Sequence, residues 1–264
     1  MRMPVVPVSD AADPRVAHYT ALTDMDLRKA TELAEGVFMG EGEKVIRRAL
    51  DAGMQILSAL MEPKWLPALQ PALPTDVPIY LAPPETLRDI TGYRVHRGAL
   101  AVFRRPTPRR PQDVLTDAQT ALLLEDLVDH ANVGSIFRSA AGLGVAAVLV
   151  TARCADPWYR RSVKTSMGAV FAVPWATVPD AVHGVAVARA LGMRTIALDP
   201  SADTSLRDWR RNAPTVLLLG SEGPGLTEAA RAATDELLAI PMHNGVDSLN
   251  VAMAATVGCY ALTS

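Results

Sequence analysis

The chain has 264 residues, enough for one large domain or two modest ones. With 49% hydrophobic and 20% charged residues, it is too apolar for an intrinsically disordered protein. A formal net charge of −2 excludes a protein that grips nucleic acid through overall positive charge. The longest apolar stretches fall short of the ~20 residues that a bilayer requires, and the first residues lack the apolar core of a secretory signal. We therefore expect a cytoplasmic protein without membrane association.

The first half of the chain predicts a small α/β domain behind a lead-in. Residues 1–20 show no periodicity, and we expect them to be loosely ordered. From residue 24 the pattern becomes helical, with one face formed by Leu27, Ala30, Leu33 and Ala34. The domain is predicted over residues 21–106, with a strand and a helix within 36–53, strands at 55–61, 79–82 and 100–105, and a helix at 84–90.

Three prolines in nine residues at 104–112 predict a stiff linker, which we place at residues 107–117. From 118 to 264, apolar strands alternate with helices, which predicts a mostly parallel sheet flanked by helices on both faces. The predicted strands are 121–128, 146–151, 169–175, 194–199, 215–220 and 236–242. The predicted helices are 133–144, one near 160–167, one ending at residue 191, one near 226–233, and one from residue 249.

Six arginines lie close together without an acidic residue between them, at positions 94, 97, 104, 105, 109 and 110. A solvated basic surface explains this pattern, and so does a local contact to nucleic-acid phosphates. The two lone cysteines, Cys154 and Cys259, fit small buried side chains, and we expect no metal site because no ligand cluster accompanies them.

Three segments of the second half carry residues that packing alone does not require. The first, Asp129–Gly134, follows a strand and precedes a helix that carries Arg138, and Asn132 is a candidate cap of that helix. The second, Leu219–Leu226, places three glycines, a proline and Glu222 between a strand and a helix. Its spacing fits neither the dinucleotide fingerprint nor a P-loop, and a tight structural turn leaves Glu222 unexplained.

The third segment combines Ile240–Met242 with Asp247–Val251 at the start of an apolar helix. Asp247 or Ser248 is a plausible helix cap. Asn250 falls in the first turn of a helix that otherwise buries itself, and a buried amide needs partners.

In this order and at strand ends, the three segments resemble the SpoU/TrmH branch of the SPOUT RNA methyltransferases. That branch has an N-x-G…R motif, a G-S-E-G-x-G-L motif and an I-P-M…S-L-N-V motif, and the match covers residues 118–262 without a gap in any motif. The front half resembles the substrate-binding domain of the family through Glu41–Glu43 with its following helix and through the ending at 98–106.

The resemblance implies an α/β domain with a deep C-terminal trefoil knot, an exception to the rarity of knots, and a homodimer with the site near its interface. It also implies a site for S-adenosylmethionine without a metal. The implied cofactor-binding residues are Leu198, Leu219, Gly220, Ser221, Glu222, Gly223, Gly225, Ile240, Met242, Ser248, Leu249 and Val251.

The implied reaction is methyl transfer to a ribose 2′-hydroxyl of RNA, with ribosomal RNA preferred over transfer RNA. The resemblance assigns activation of the hydroxyl to Arg138. Because a guanidinium is already protonated at neutral pH, it is better suited to stabilise the developing alkoxide than to remove the proton of the hydroxyl. Asn132, Glu222, Ser248 and Asn250 are the other implied catalytic residues. The arginines expected to contact RNA phosphates are Arg94, Arg97, Arg104 and Arg105.

Two alternative hypotheses make different predictions for the sequence. A non-catalytic RNA- or ribosome-binding module would keep the fold and lose the site, yet Asn132, Arg138, Glu222 and Asn250 are all present. A nicotinamide-dependent enzyme predicts GxGxxG after its first strand and an acidic residue about 20 positions later, and neither pattern occurs.

Overall fold

A computed structural model describes residues 4–95 and 98–264 of the chain. The fold divides into two compact units. The first contains the chain up to Pro106 together with Trp158–Phe171, and the second contains Thr107–Pro157 and Ala172–Ser264. Trp158–Phe171, which the sequence pattern places in the second domain, therefore packs with the first unit.

The first unit is built on one mixed sheet. Its elements up to residue 106 are β1 (Val5–Pro7), α1 (Met25–Ala34), β2 (Val37–Glu41), α2 (Glu43–Asp51), β3 (Ile56–Met61), α3 (Leu66–Leu69), β4 (Ile79–Leu81), α4 (Pro84–Thr91) and β5 (Ala99–Arg104). The strand order is β1–β4–β3–β5–β2. β1, β4 and β3 run parallel, whereas β5 is antiparallel to both β3 and β2.

From Val5 to Tyr19 the lead-in forms ordered elements of this unit, contrary to the expectation of loose order. β1 pairs with β4, and Pro14–Tyr19 forms a 3-10 helix. Val16 and Tyr19 of that helix are buried, and the Tyr19 hydroxyl lies 2.8 Å from the Ser58 hydroxyl. Periodicity could not predict this, because a few widely spaced apolar residues fill the core without forming a repeating stripe.

Helix α1 forms as predicted, but its apolar face is exposed. Leu27 and Leu33 are 52% and 69% exposed, whereas Arg28 and Glu32 are buried as an ion pair of 3.1 Å. The buried charges are tolerated because each has an opposite charge one helical turn away.

The segment Trp158–Phe171 is held in the first unit by aromatic and ionic contacts. The Phe38 ring lies 5.0 Å from that of Trp158 and 5.5 Å from that of Phe171, measured between ring centroids. Glu41 accepts hydrogen bonds from Arg160 Nη1 at 2.7 Å and from Lys164 Nζ at 2.6 Å. These partners lie more than a hundred residues from β2 in sequence, so no local pattern could reveal them.

The second half of the chain supplies the remaining elements. They are α5 (Pro111–Leu115), β6 (Thr120–Leu124), α6 (His130–Leu143), β7 (Ala147–Thr151), α7 (Arg160–Thr165, in the first unit), β8 (Trp175–Val178), α8 (Ala181–Ala190), β9 (Arg194–Leu198), β10 (Thr215–Leu219), α9 (Glu228–Ala233), β11 (Glu236–Leu238) and α10 (Val251–Thr263).

The second unit has a parallel sheet in the order β11–β9–β10–β6–β7–β8. Alternate residues of β10 lie on opposite faces of the sheet. Val216 and Leu218 join a core cluster with residues of α5, α8 and α9, whereas Leu217 lies against Gly258 of α10. This confirms the predicted parallel sheet with helices on both faces, while the trefoil knot stays a prediction.

Several element boundaries differ from the sequence interpretation; for example, the strand predicted at 121–128 ends at Leu124. The predicted linker contains α5, because Pro111 is tolerated at the first helical position and Val114 and Leu115 are buried in the core. The predicted strand at 169–175 is a 3-10 helix at Ala169–Phe171, and β8 begins only at Trp175. β11 ends at Leu238, three residues before Pro241, which has no N–H to donate to a ladder. Within the described parts of the chain, no helix combines the length and apolar character needed to cross a membrane.

Candidate functional site

The three segments singled out from the sequence all follow carboxyl ends of strands in the second unit. Asp129–Gly134 comes after β6, Gly220–Leu226 directly follows β10, and the third segment begins just after β11. Because these strands are parallel, their carboxyl ends lie at one edge of the sheet, where open α/β sheets bind ligands.

A cavity of about 450 Å³ opens at this edge, within the range of ~300–1,000 Å³ common for ligand sites. It is lined by Leu198, Asp199, Pro200, Leu219, Gly220, Ser221, Glu222, Gly223, Pro224, Gly225, Leu226, Arg231, Ile240, Met242, Asp247, Ser248, Leu249, Asn250, Val251 and Ala254. Every residue expected to bind the cofactor is in this lining, so the structure brings the whole predicted set together.

The loop Gly220–Leu226, called here the glycine loop, is a tight closed turn. Ser221 and Gly225 exchange backbone hydrogen bonds of 3.1 and 3.0 Å. Gly223 and Gly225 have φ angles of 84° and 74°, which L side chains rarely adopt. A Cβ on Gly220 would lie 2.2 Å from the Leu226 nitrogen, so the loop crosses itself too closely for any side chain at that position.

One residue from each segment joins a hydrogen-bond network at the cavity. Asn132 Nδ2 donates to Glu222 Oε1. Asn250 Nδ2 lies 3.2 Å from Asn132 Oδ1 and 3.3 Å from Glu222 Oε1. The network ties α6, the glycine loop and the start of α10 to one another, and Glu222 and Asn250 line the cavity.

The helix caps differ from those expected. Asp129, not Asn132, caps α6 by accepting from the Ala131 N–H at 2.7 Å. Asn250 itself caps α10, since its Oδ1 accepts from the Ala252 N–H at 2.9 Å. The Asn250 side chain is exposed instead of buried. Because the cap uses only Oδ1, the amide nitrogen can donate to the network.

Of the predicted catalytic residues, Arg138 is the one that neither lines the cavity nor joins the network. It is exposed on α6, six residues beyond Asn132 and therefore ~9 Å farther along the helix axis. The neighbouring Ser139 shares a hydrogen bond of 2.7 Å with Thr256 of α10. Ser248, in contrast, lies in the cavity lining.

Sequence reasoning missed an ion pair in the lining. Asp199 Oδ2 lies 2.5 Å from Arg231 Nη1, and Asp199 Oδ1 accepts from the backbone N–H and the hydroxyl of Ser201 at 2.8 and 2.6 Å. Asp199 directly follows β9, so the strand-end rule could have found it. Arg231 lies in the short helix α9, so the strand-end rule could not have identified it.

The arginines expected to contact RNA have different environments. Arg94 and Arg104 are exposed, and Arg104 Nε donates to Gln55 Oε1 at 3.1 Å. Arg105 is half-buried and donates to the Val37 carbonyl at 2.8 Å, so part of its donor capacity is used within the first unit. Arg97 lies outside the described residues.

No group of three or more histidine, cysteine, aspartate or glutamate side chains able to hold a metal occurs within residues 4–95 and 98–264. Cys259 is buried, which raises the pKa of its thiol to about 12. Cys154 is half-buried, and burial raises its thiol pKa too.

The fold and the site define an α/β ligand-binding domain with a glycine loop and a polar network at the strand ends. Residues 119–260 match the SpoU rRNA Methylase family. An uncharacterized tRNA/rRNA methyltransferase of Mycobacterium bovis is 36% identical over 97% of this chain and 91% of its own length. The chain belongs to the SpoU rRNA methylase family and is a methyltransferase, which confirms the resemblance.

Two solved structures extend the likeness to both units. The SpoU methyltransferase AviRb from Streptomyces viridochromogenes, in complex with AdoMet, has a TM-score of 0.81 and 27% identity, with 95% of this chain and 98% of that chain covered. An RNA 2′-O ribose methyltransferase has a TM-score of 0.78 and 25% identity, with 98% and 97% covered.

Proposed function

We propose that this protein transfers a methyl group from S-adenosylmethionine to a ribose 2′-hydroxyl of RNA, with ribosomal RNA as the preferred substrate. The observation that carries the proposal is the meeting of Asn132, Glu222 and Asn250 at a cavity lined by every residue expected to bind the cofactor. The bound cofactor in AviRb and the ribose specificity of the second structural relative support it.

The residues of the cavity suit such a cofactor. Apolar walls from Leu198, Leu219, Ile240 and Leu249 can enclose an adenine ring, and the turns of the glycine loop leave backbone groups to read its edge. When bound, the cofactor supplies an electrophilic methyl group. Glu222 and Asn250, fixed by their mutual hydrogen bonds, would hold the ribose in line with it.

Although Arg138 lies on α6 outside the cavity lining, the resemblance to the family assigns it to the attacking oxygen. A guanidinium stays charged at neutral pH and can stabilise the alkoxide that forms as the hydroxyl loses its proton. RNA follows from the target atom, because the 2′-hydroxyl is absent from DNA. Arg94 and Arg104, exposed on the first unit, would contact RNA phosphates.

We also propose a homodimer. Helix α10 exposes an apolar strip of Met253, Val257 and Tyr260, which are 64%, 42% and 66% exposed. Their spacing places them on one face of α10, and α10 is the helix joined to α6 through Ser139 and Thr256. Burial of the strip against a second copy would remove it from water. A cytoplasmic location stays a prediction.

The test is methyl transfer with tritiated S-adenosylmethionine to separate pools of ribosomal and transfer RNA, followed by mapping of ribose methylation. We expect label at a ribose of ribosomal RNA. Label on a base, or transfer to neither pool by a protein that binds the cofactor, would contradict the proposal.

The role of Arg138 is tested by Arg138→Ala. We expect methyl transfer to fall by about a thousandfold, as for the loss of a group that stabilises developing charge, while affinity for S-adenosylhomocysteine changes less than about threefold. Arg207→Ala, at an exposed arginine that does not line the cavity, is the matched control and should leave both quantities unchanged. Lost cofactor affinity in Arg138→Ala would contradict the assigned role.

A further inference from the structure

Glu125 is a buried carboxylate that the proposed reaction does not use. It follows β6, is only 5% exposed, and does not itself line the cavity. Burying a carboxylate costs free energy unless hydrogen bonds satisfy it. The hydrogen-bond partners of Glu125 therefore indicate what its carboxylate does at this position.

The contacts of Glu125 reach both ends of the glycine loop. Its backbone N–H donates to the carbonyl of Leu219, the residue before the loop, at 2.9 Å. Its carboxylate accepts from the N–H of Thr227, the residue after the loop, at 2.9 Å and from the Thr227 hydroxyl at 2.8 Å. One residue therefore binds both the entry and the exit of a loop whose seven residues all line the cavity.

The Thr227 hydroxyl also caps α9, since it accepts from the Ala230 N–H at 3.2 Å. The carboxylate thus fixes both the backbone and the rotamer of Thr227 at the point where the loop becomes a helix. Five residues before that point, Glu222 joins the network with Asn132 and Asn250. A shift of the loop exit would move the wall of the cavity and the Glu222 carboxylate together.

We propose that Glu125 is a positioning residue for the cofactor, holding the glycine loop in the conformation that binds S-adenosylmethionine. The inference rests on the proposed function. It requires that the carboxylate act through loop geometry and not merely through the stability of the unit.

The chain offers a matched control for this distinction. Asp235 also accepts from the N–H and the hydroxyl of a threonine, Thr195, at 2.8 and 2.7 Å, although both bonds go to Oδ2 and its Oδ1 pairs with Arg189; neither Asp235 nor Thr195 lines the cavity. A structural role alone predicts that Glu125→Met and Asp235→Leu behave alike. A positioning role predicts that only the first changes cofactor affinity.

Glutamine at position 125 can keep both contacts. Its carbonyl can accept from the Thr227 N–H while its amide donates to the Thr227 hydroxyl. Methionine keeps a similar volume and leaves the Thr227 donors without acceptors. Glu125→Gln is therefore the conservative variant and Glu125→Met the disruptive one.

The experiment is calorimetric titration of the full chain with S-adenosylhomocysteine, alongside urea unfolding of each variant. We expect Glu125→Met to weaken affinity by about tenfold or more, because the loop exit loses two hydrogen bonds to a charged group. Glu125→Gln and Asp235→Leu should stay within about threefold of the wild type. Thr227→Val, at an exposed position, should weaken affinity and Thr227→Ser should not, which tests the idea even if Glu125→Met fails to fold.

Equal affinity of wild type, Thr227→Val and Glu125→Met would overturn the positioning role, and so would an equal loss in Asp235→Leu. A wild-type protein that binds no S-adenosylhomocysteine would instead overturn the proposed function.

Discussion

At the scale of single residues, Gly220 is the position in the site with the least freedom to vary. The Leu226 nitrogen, 2.2 Å from the place of a Cβ, is backbone and cannot rotate away. Gly220→Ala should therefore displace the glycine loop and lower the free energy of unfolding of the second unit by ~1–3 kcal/mol, the usual cost of overpacking. Urea unfolding and titration with S-adenosylhomocysteine measure both effects.

Gly142→Ala is the control for this prediction. Gly142 lies in α6 with open space around its Cβ position, so alanine there should stabilise the helix by up to ~1 kcal/mol. Full cofactor affinity in Gly220→Ala would show that the loop tolerates the displacement and that its tight crossing is not needed for binding.

Single residues were also where sequence reasoning was most informative. Asn132, Glu222 and Asn250 could be found because polar side chains and glycines at strand ends depart from what a buried sheet requires. Glu125 and Arg231 could not, since the sequence pattern placed Glu125 inside a strand predicted at 121–128, and Arg231 occupies a short helix that does not directly follow a strand. Their importance lies in contacts with residues far away in sequence, at Thr227 and Asp199.

At the scale of elements, α7 is attached to β2 through a buried carboxylate. The Glu41 side chain is 4% exposed. Desolvation by burial raises its pKa, but the hydrogen bond and charge of Lys164 and the charge of Arg160 outweigh burial and leave the pKa below its ordinary value of 4.5. A lowered pKa in the folded state stabilises the fold above pH 4.5, and this contribution disappears as the pH falls through the folded-state pKa.

Glu41→Gln should therefore remove a pH dependence as well as stability. At pH 7 we expect it to lower the free energy of unfolding of the first unit by ~1.5–3 kcal/mol, the value of hydrogen bonds to a charged group. Below pH 4.5 the difference from the wild type should shrink as the pH falls toward the lowered folded-state pKa of Glu41. Urea unfolding of wild type and Glu41→Gln at pH 7 and at pH values below 4.5 measures this. A difference in the free energy of unfolding that stays constant with pH would contradict it.

The control for this measurement is Glu43→Gln. Glu43 pairs with Arg47 at 2.9 Å but is 32% exposed, so its loss should cost ~1 kcal/mol or less.

Element boundaries show what local pattern can and cannot predict. Strands and helices were found at several strongly apolar segments, as in β6, β10 and α6, whereas the apolar segment predicted as a strand at 169–175 begins as a 3-10 helix. Helix α1 was predicted correctly, yet its apolar face is solvent-exposed, because Arg28 and Glu32 neutralise each other on the buried side. Periodicity identifies a face, whereas tertiary contacts decide which face is buried.

At the scale of the whole molecule, the proposed homodimer can be tested at α10. Tyr260→Glu places a charge in the apolar strip, and we expect it to convert a particle with the mass of two chains into one with the mass of a single chain. Light scattering after gel filtration measures this. Leu33→Glu, at a residue of α1 that is 69% exposed, is the matched control and should leave the mass unchanged.

A wild-type protein with the mass of one chain would contradict the dimer. So would a dimer that survives Tyr260→Glu combined with Met253→Glu.

The return of Trp158–Phe171 to the first unit bears on how this protein can be dissected. A fragment ending at Pro106 would lose two of the aromatic partners of Phe38, Trp158 and Phe171, and both cations that pair with the Glu41 carboxylate. Such a fragment should aggregate or be degraded when expressed alone, even though it contains every strand of its sheet. An isolated first unit would need residues 158–171 to be grafted onto it. Gene fusions that exchange front domains between relatives would have to exchange this segment as well.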